Sequence, residues 1–326
     1  MFGMVTQSAS AAVTGDSLQV IGTITVGKLP EALAITPNGA YLYVGNYGSS
    51  TLSVINTSLN TVSAKIALPS GPTAIAITPD GKKAFVLSAK GIAVIRISTN
   101  TVLKTISPGP SFGTALAVTP DGAQLYVSNF YGTVSIINTA TDKIEKKLTV
   151  GANANGVAIS PDGKSAYVDA NGSGGPFYLT KIDVASKTIT VPQLGVRAIK
   201  HGITDVLVSP DSQTVYVPEG ENDVLALNAV TGQVEFDVVL STQPQFFLGG
   251  AQISPSGKFL YVTELSANSV ATIDTQLGTT VGTPLAVGSG PTGVVISPSG
   301  SDLYVANTTP GNRRTKGTVS VIEITP

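Results

Sequence analysis

The sequence predicts an all-β chain folded as a seven-bladed β-propeller of four-stranded antiparallel blades. A turn of the form Thr/Ser-Pro-Asx/Ser-Gly/Ser recurs at Pro37, Pro79, Pro120, Pro161, Pro210, Pro255 and Pro298, at intervals of 42, 41, 41, 49, 45 and 43 residues. Each turn is followed by an aromatic-Val pair, at Tyr43, Phe85, Tyr126, Tyr167, Tyr216, Tyr261 and Tyr304. The runs between turns are short and β-rich, with no long amphipathic helical stretch. A period in the forties with four short strands per unit is the repeat of a propeller blade.

The turn explains the first hairpin of every repeat. Proline has its φ preset at the first central position, Asp suits the next, and Gly takes positive φ. Such a turn between two β-rich runs joins antiparallel strands. Residues 115–129 show the whole unit: an apolar strand, Thr-Pro-Asp-Gly, and a strand ending in Tyr126-Val127. Residues 17–26 read as the last strand of a blade, arriving before any first strand. After Pro298 the chain supplies strands around Tyr304 and residues 318–324 and no fourth. The early strand is therefore expected to complete blade seven and close the ring, covering an edge that otherwise invites aggregation. Residues 17–326 form one expected domain, because each blade needs its neighbours to bury its faces.

Residues 1–16 are rich in Ser, Ala, Gly and Thr, with no Lys or Arg before Lys28. They read as a flexible tail, although residues 8–12 also resemble the small-residue end of a processed export signal. The Gly15-Asp16-Ser17-Leu18 string matches a hydrolase motif by letter only. That motif needs an α/β fold and an Asp three residues before the catalytic His, whereas Ala198 precedes the single histidine, His201.

With 12% charged residues and a formal net charge of −1, the chain carries no electrostatic footprint for nucleic acid or anionic membrane. Its hydrophobic residues fall in short runs, so no transmembrane helix is expected. The absence of cysteine removes thiol catalysis, thiolate metal sites and disulfides. A monomer without cofactor is expected.

In an up-and-down blade the Pro-Asx turns share one face, and the loops entering each blade share the other, the top. Nine residues before each proline stand Lys28, Ser70, Ser111, Ala152, His201, Phe246 and Ser289; six before stand Glu31, Thr73, Thr114, Asn155, Thr204, Gly249 and Thr292. Nine after stand Asn46, Ser88, Asn129, Ala170, Glu219, Glu264 and Asn307, so blades five and six put Glu where Asn is common. Longer connections at 171–178, 191–200, 241–247 and 308–316 fall in blades four to seven. Extra loop length on one face of a repeat array marks a binding face. A ligand or partner site is therefore expected at the top mouth of the central channel, formed by Lys28, Glu31, Asn155, His201, Asp205, Phe246 and Phe247.

The repeats Tyr43-Val44-Gly45-Asn46, Tyr126-Val127-Ser128-Asn129 and Tyr304-Val305-Ala306-Asn307, with Ser53-Val54-Ile55-Asn56-Thr57 and Val134-Ser135-Ile136-Ile137-Asn138-Thr139, resemble those of the YVTN family of seven-bladed propellers. The resemblance covers residues 17–326 and implies an extracytoplasmic location, periplasmic or cell-surface. It also points toward lactonase-like propellers of similar architecture, but fold does not fix function.

Two function classes follow. One is a non-catalytic binding module or cell-envelope scaffold, with a small molecule or protein partner at the top face. The other is a lactonase- or lyase-type enzyme, in which His201, Glu219 or Glu264 acts as general base and Arg197 stabilises an enolate or carboxylate. One histidine cannot build a His-based metal centre, and no metal site is assigned. An all-oxygen set from Asp205, Glu219 and Glu264 is the one arrangement left open. Acids left unpaired at the mouth would favour catalysis, and acids paired to Lys28, Arg197 or Lys200 would favour structure.

Overall fold

The computed structural model describes residues 17–107, 113–171, 177–194, 199, 204–220, 222–243, 247–308 and 315–325. Blade one runs through strands Pro30–Ile35, Tyr41–Asn46, Thr51–Asn56 and Thr61–Ala67, hydrogen-bonded in that order. The same inner-to-outer order repeats around the ring. Blade seven takes its inner three strands from Pro291–Ile296, Asp302–Asn307 and Thr318–Thr325, and its outer strand from Ser17–Thr25. That strand pairs antiparallel with Thr318–Thr325, from Ser17 opposite Thr325 to Thr25 opposite Thr318. The expected closure is observed. Ser17 and Leu18, within the hydrolase-like string, are strand residues in this pairing. Blade six departs from uniformity: its outer edge is split into Thr279–Thr280 and Leu285–Ala286, both paired to Ser269–Asp274.

The turns follow the sequence logic. In blade two the Gly81 N–H reaches the Thr78 carbonyl at 2.8 Å, and the Thr78 hydroxyl donates to Asp80 at 2.6 Å. Asp80 also accepts the Lys82 N–H, so one short side chain ties both limbs of the turn. The last turn position has positive φ in every repeat and is glycine in six; blade five uses Ser212, at φ 64°.

The aromatic-Val pairs show where the core lies. Successive strand side chains point to opposite faces, so Tyr43 packs against blade two while Leu42 and Val44 pack against blade seven. Both faces of a blade meet a neighbour, which is why the second and third strands are buried almost throughout. The outer strands face water on one side and alternate instead, as in Lys143–Thr149. Among the described residues the buried apolar side chains form seven clusters, one between each pair of adjacent blades. No helix of the described residues is long and apolar enough to cross a membrane.

Candidate functional site

The seven innermost strands leave a central cavity of about 490 Å³. Its wall is layered. The first layer is Glu31, Thr73, Thr114, Asn155, Thr204, Gly249 and Thr292, the whole series six residues before the prolines. Beneath it come small residues and one acid, Asp205. Below these lie aliphatic side chains such as Leu33, Ile75, Leu116 and Val294. The channel is a cup with a polar lip and a wall that becomes apolar further in.

The lip hydroxyls are committed. Thr114 donates to the Ala154 carbonyl of the next blade at 2.6 Å, Thr204 to the Pro218 carbonyl at 3.1 Å, and Thr292 to the Pro30 carbonyl at 3.1 Å. Thr114 and Thr292 thus tie adjacent blades, Thr204 ties the inner segment of blade five to its own second strand, and all three turn oxygen lone pairs, not protons, toward the cup. Glu31 accepts no hydrogen bond among the described residues, and burial raises its carboxyl above the ordinary range. Asp205 accepts the Val206 N–H at 2.8 Å and the Ala251 N–H at 3.4 Å. Burial pushes its pKa up to about 6 against the pull of those N–H groups.

Asp169 stands directly behind this wall. It is buried and accepts the N–H groups of Asn155 and Gly156. Burial pushes its pKa up to about 7, with a smaller contribution from the charge of Asp205. Among the described residues no ion pair engages Glu31, Asp169 or Asp205. Sequence reasoning missed Asp169. The signal was present: the residue two after the blade aromatic is Gly45, Leu87, Ser128, Asp169, Pro218, Thr263 and Ala306, with one acid in seven. At that place Ser128 accepts the Ala115 N–H, so the position serves the inner strand where its own ladder lapses.

Of the sequence-derived site residues, Glu31, Asn155 and Asp205 meet in the cup. Lys28 and Phe247 do not line it. Lys28 is fixed by the Ser49 hydroxyl accepting its N–H, and Phe247, 48% exposed, has its N–H bound by Ser266. Glu219 and Glu264 are buried at the ends of the second strands of blades five and six and do not line the cup. Ser269 donates to Glu264 at 2.5 Å, and burial raises this carboxyl. Asn46, its counterpart in blade one, is equally structural: it accepts the Gly27 N–H and donates to Thr51 and Ser53. His201, Arg197, Phe246 and Lys200 lie outside the described residues, as do parts of all four long connections. No group of three or more His, Cys, Asp or Glu suited to a metal ion occurs among the described residues.

The fold and cup define a seven-bladed β-propeller with an acidic, acceptor-lined channel. The chain is similar to a solved structure of Kuenenia stuttgartiensis hydrazine synthase, with a TM-score of 0.80 and 22% identity over 92% of this chain and 96% of that one. This likeness establishes the propeller architecture. No protein-family model matches the sequence, and no curated protein matches it.

Proposed function

We propose that this chain is a non-catalytic binding propeller whose channel cup takes a small polyhydroxylated ligand. The carrying observation is the imbalance of the cup. Its described lining offers carboxylates and lone pairs from Glu31, Asp205 and the committed threonines, side-chain donors only from the amides of Asn155 and Gln252, and no Lys or Arg. A ligand must then bring most of the protons, and its apolar face suits the aliphatic wall deeper in the channel. A cavity of this volume falls within the usual range for small-molecule sites. Membership of the YVTN family and an extracytoplasmic location belong to the same reading, supported by the repeat motifs.

The test is a thermal-shift series with sugars, sugar acids and dicarboxylates on wild type and a Glu31→Gln/Asp205→Asn double variant. A ligand confined to the folded state raises the melting temperature by mass action. Neutral sugars should stabilise wild type and lose that effect in the variant. Stabilisation by dicarboxylates alone would sink the proposal.

One observation favours the enzyme reading. Asp205, with a pKa of about 6, has the poise of a general base at neutral pH. A lactonase or lyase built here would use Asp205 in the role first given to His201, Glu219 or Glu264. Lactone turnover that falls with an apparent pKa near 6 and vanishes in Asp205→Asn would replace binding with catalysis.

A further inference from the structure

The turn face holds a larger cavity, about 660 Å³, in the cleft between blades one and two. Pseudo-sevenfold repetition allows each of its walls to be compared with the same wall in other clefts. A cross-blade row runs through Tyr43, Val54 and Ala64 in blade one. Its counterparts are Phe85, Val94 and Lys104 in blade two, and Tyr167, Lys181 and Val191 in blade four.

Two of the equivalent clefts are filled by the chain's own ammonium groups. Between blades two and three, Lys83 donates to the Thr139 carbonyl at 2.6 Å and to Asp142 at 3.2 Å, and Lys104 reaches Asp142 at 2.7 Å. Between blades four and five, Lys181 donates to the Ala229 carbonyl at 2.8 Å and lies 5.4 Å from the centre of the Tyr167 ring. Thr139 and Ala229 are the same position, the residue after the third strand. Lysines from different strands, Lys83 and Lys181, thus reach the equivalent backbone oxygen in two clefts. A further cleft, between blades five and six, is filled by Phe236, which takes the place of Ala64 and packs on Tyr216.

The cleft between blades one and two keeps the carbonyl and the aromatic face, has the neutral Asn100 in place of the Asp142 carboxylate, and lacks the lysines. Ile97 stands where Thr139 and Ala229 stand, Asn100 where Asp142 stands, and Tyr43 where Tyr167 stands; all three line the cavity. The Tyr43 hydroxyl donates to Asn100 Oδ1 at 2.5 Å and the Asn100 N–H to the Ile97 carbonyl at 3.3 Å, which leaves the second lone pair of that carbonyl and the Tyr43 ring face for a ligand. Tyr41 occupies the position of Lys83, Ala64 that of Lys104 and Val54 that of Lys181. The Asp80 carboxylate lies at the rim, kept ionised chiefly by the Thr78 hydroxyl, with an exposed Lys82 at 3.2 Å as a weak partner. A carbonyl, a carboxylate and an aromatic face together are what a cation requires.

We propose that the cleft between blades one and two is a receptor for an alkylammonium group, delivered either by a free primary amine or by a lysine of a partner polypeptide. The site is independent of the channel cup and shares no lining residue with it.

The test is calorimetric titration of the full chain with n-pentylammonium and with its neutral counterpart, 1-pentanol. The cation should bind with a dissociation constant of about 1 mM, and the alcohol at least tenfold more weakly. Tyr41→Lys restores the arrangement of Lys83, and Ala64→Lys that of Lys104, so each should fill the cleft and weaken amine binding at least tenfold. Two variants guard against a folding defect in either. A short peptide with one internal lysine that binds tenfold tighter than n-pentylammonium assigns the cleft to a polypeptide partner. Equal binding assigns it to free amines. The proposal is overturned by no binding to wild type, by equal binding of the alcohol, or by affinity unchanged in both lysine variants. Loss of binding in Glu31→Gln with retention in Tyr41→Lys would move the amine to the channel and equally overturn it.

Discussion

Asp80, Asp121, Asp162 and Asp211 sit in the turns of blades two to five, and each carboxyl lies below its ordinary range. The chief cause is the same in all four: a Thr or Ser hydroxyl donates to the carboxylate, joined by a backbone N–H two residues on. Glu31, Asp169 and Asp205, around the channel, lie above theirs, because burial penalises their charge, in Asp169 and Asp205 by more than their hydrogen bonds favour it. Carboxylates of one chain thus do opposite work. Turn acids stabilise the fold when ionised, whereas channel acids cost stability when ionised and persist beside a cavity. Asp205 and Asp169 are stabilising below about pH 4, and that contribution disappears as pH rises toward 6 and 7. Turn acids contribute above about pH 4 and lose their contribution as pH falls, for Asp80 down to about 2. These two sets place the stability maximum at mildly acid pH, with a decline toward pH 8.

Both sets owe their surroundings to a closed ring. Deleting residues 17–25 removes the outer strand of blade seven and should lower the melting temperature by about 10 °C or more, or render the chain insoluble. A truncated chain that melts like the parent, followed by circular dichroism, would break the closure argument and the contrast with it.

Asp169→Asn isolates the channel acids. Asparagine keeps an oxygen for the Asn155 and Gly156 N–H groups and removes the buried charge. The variant should melt about 5 °C higher at pH 8 and within about 1 °C of the parent at pH 4.5. An equal shift at both pH values would show that charge is not the cause.

Ser212→Gly probes the turn face at its one irregular position. A side chain at φ 64° costs about 1 kcal/mol, and replacement also loses the hydrogen bond from the Asp162 N–H to the Ser212 hydroxyl. The net gain should be about 0.5 kcal/mol, read from urea unfolding with an unchanged slope. Destabilisation would mean that the link between blades four and five outweighs the backbone strain.

Architecture was legible because a turn needing Pro, Asx and Gly leaves a mark that recurs with every blade. The channel lip was legible from the same anchor, since a fixed offset from the proline lands on the same inner-strand position in each repeat. The offset nine residues after the proline misleads for a physical reason. It falls at the end of the second strand, where Asn46 binds the incoming Gly27 segment, so Glu264 inherits a buried structural place and not the cup. Asp169 escaped notice because its neighbours in sequence, Tyr167-Val168, are core residues; only the opposed inner strand gives its carboxylate a role. The open cleft beside Ala64 was illegible for another reason. It depends on pairing across a register shift between Val54 and Ile55, and on which side chains other clefts spend to fill the same space.

The pairing of Ser17 with Thr325 has a mechanical consequence. Both ends of the blade-seven ladder emerge side by side, so a force that draws them apart acts across the strands and meets one hydrogen-bonded pair at a time. The ladder opens as a zipper instead of being sheared as a block. A chain tethered by either end to a surface, and tugged by the other, would yield at blade seven well before any other blade felt the load.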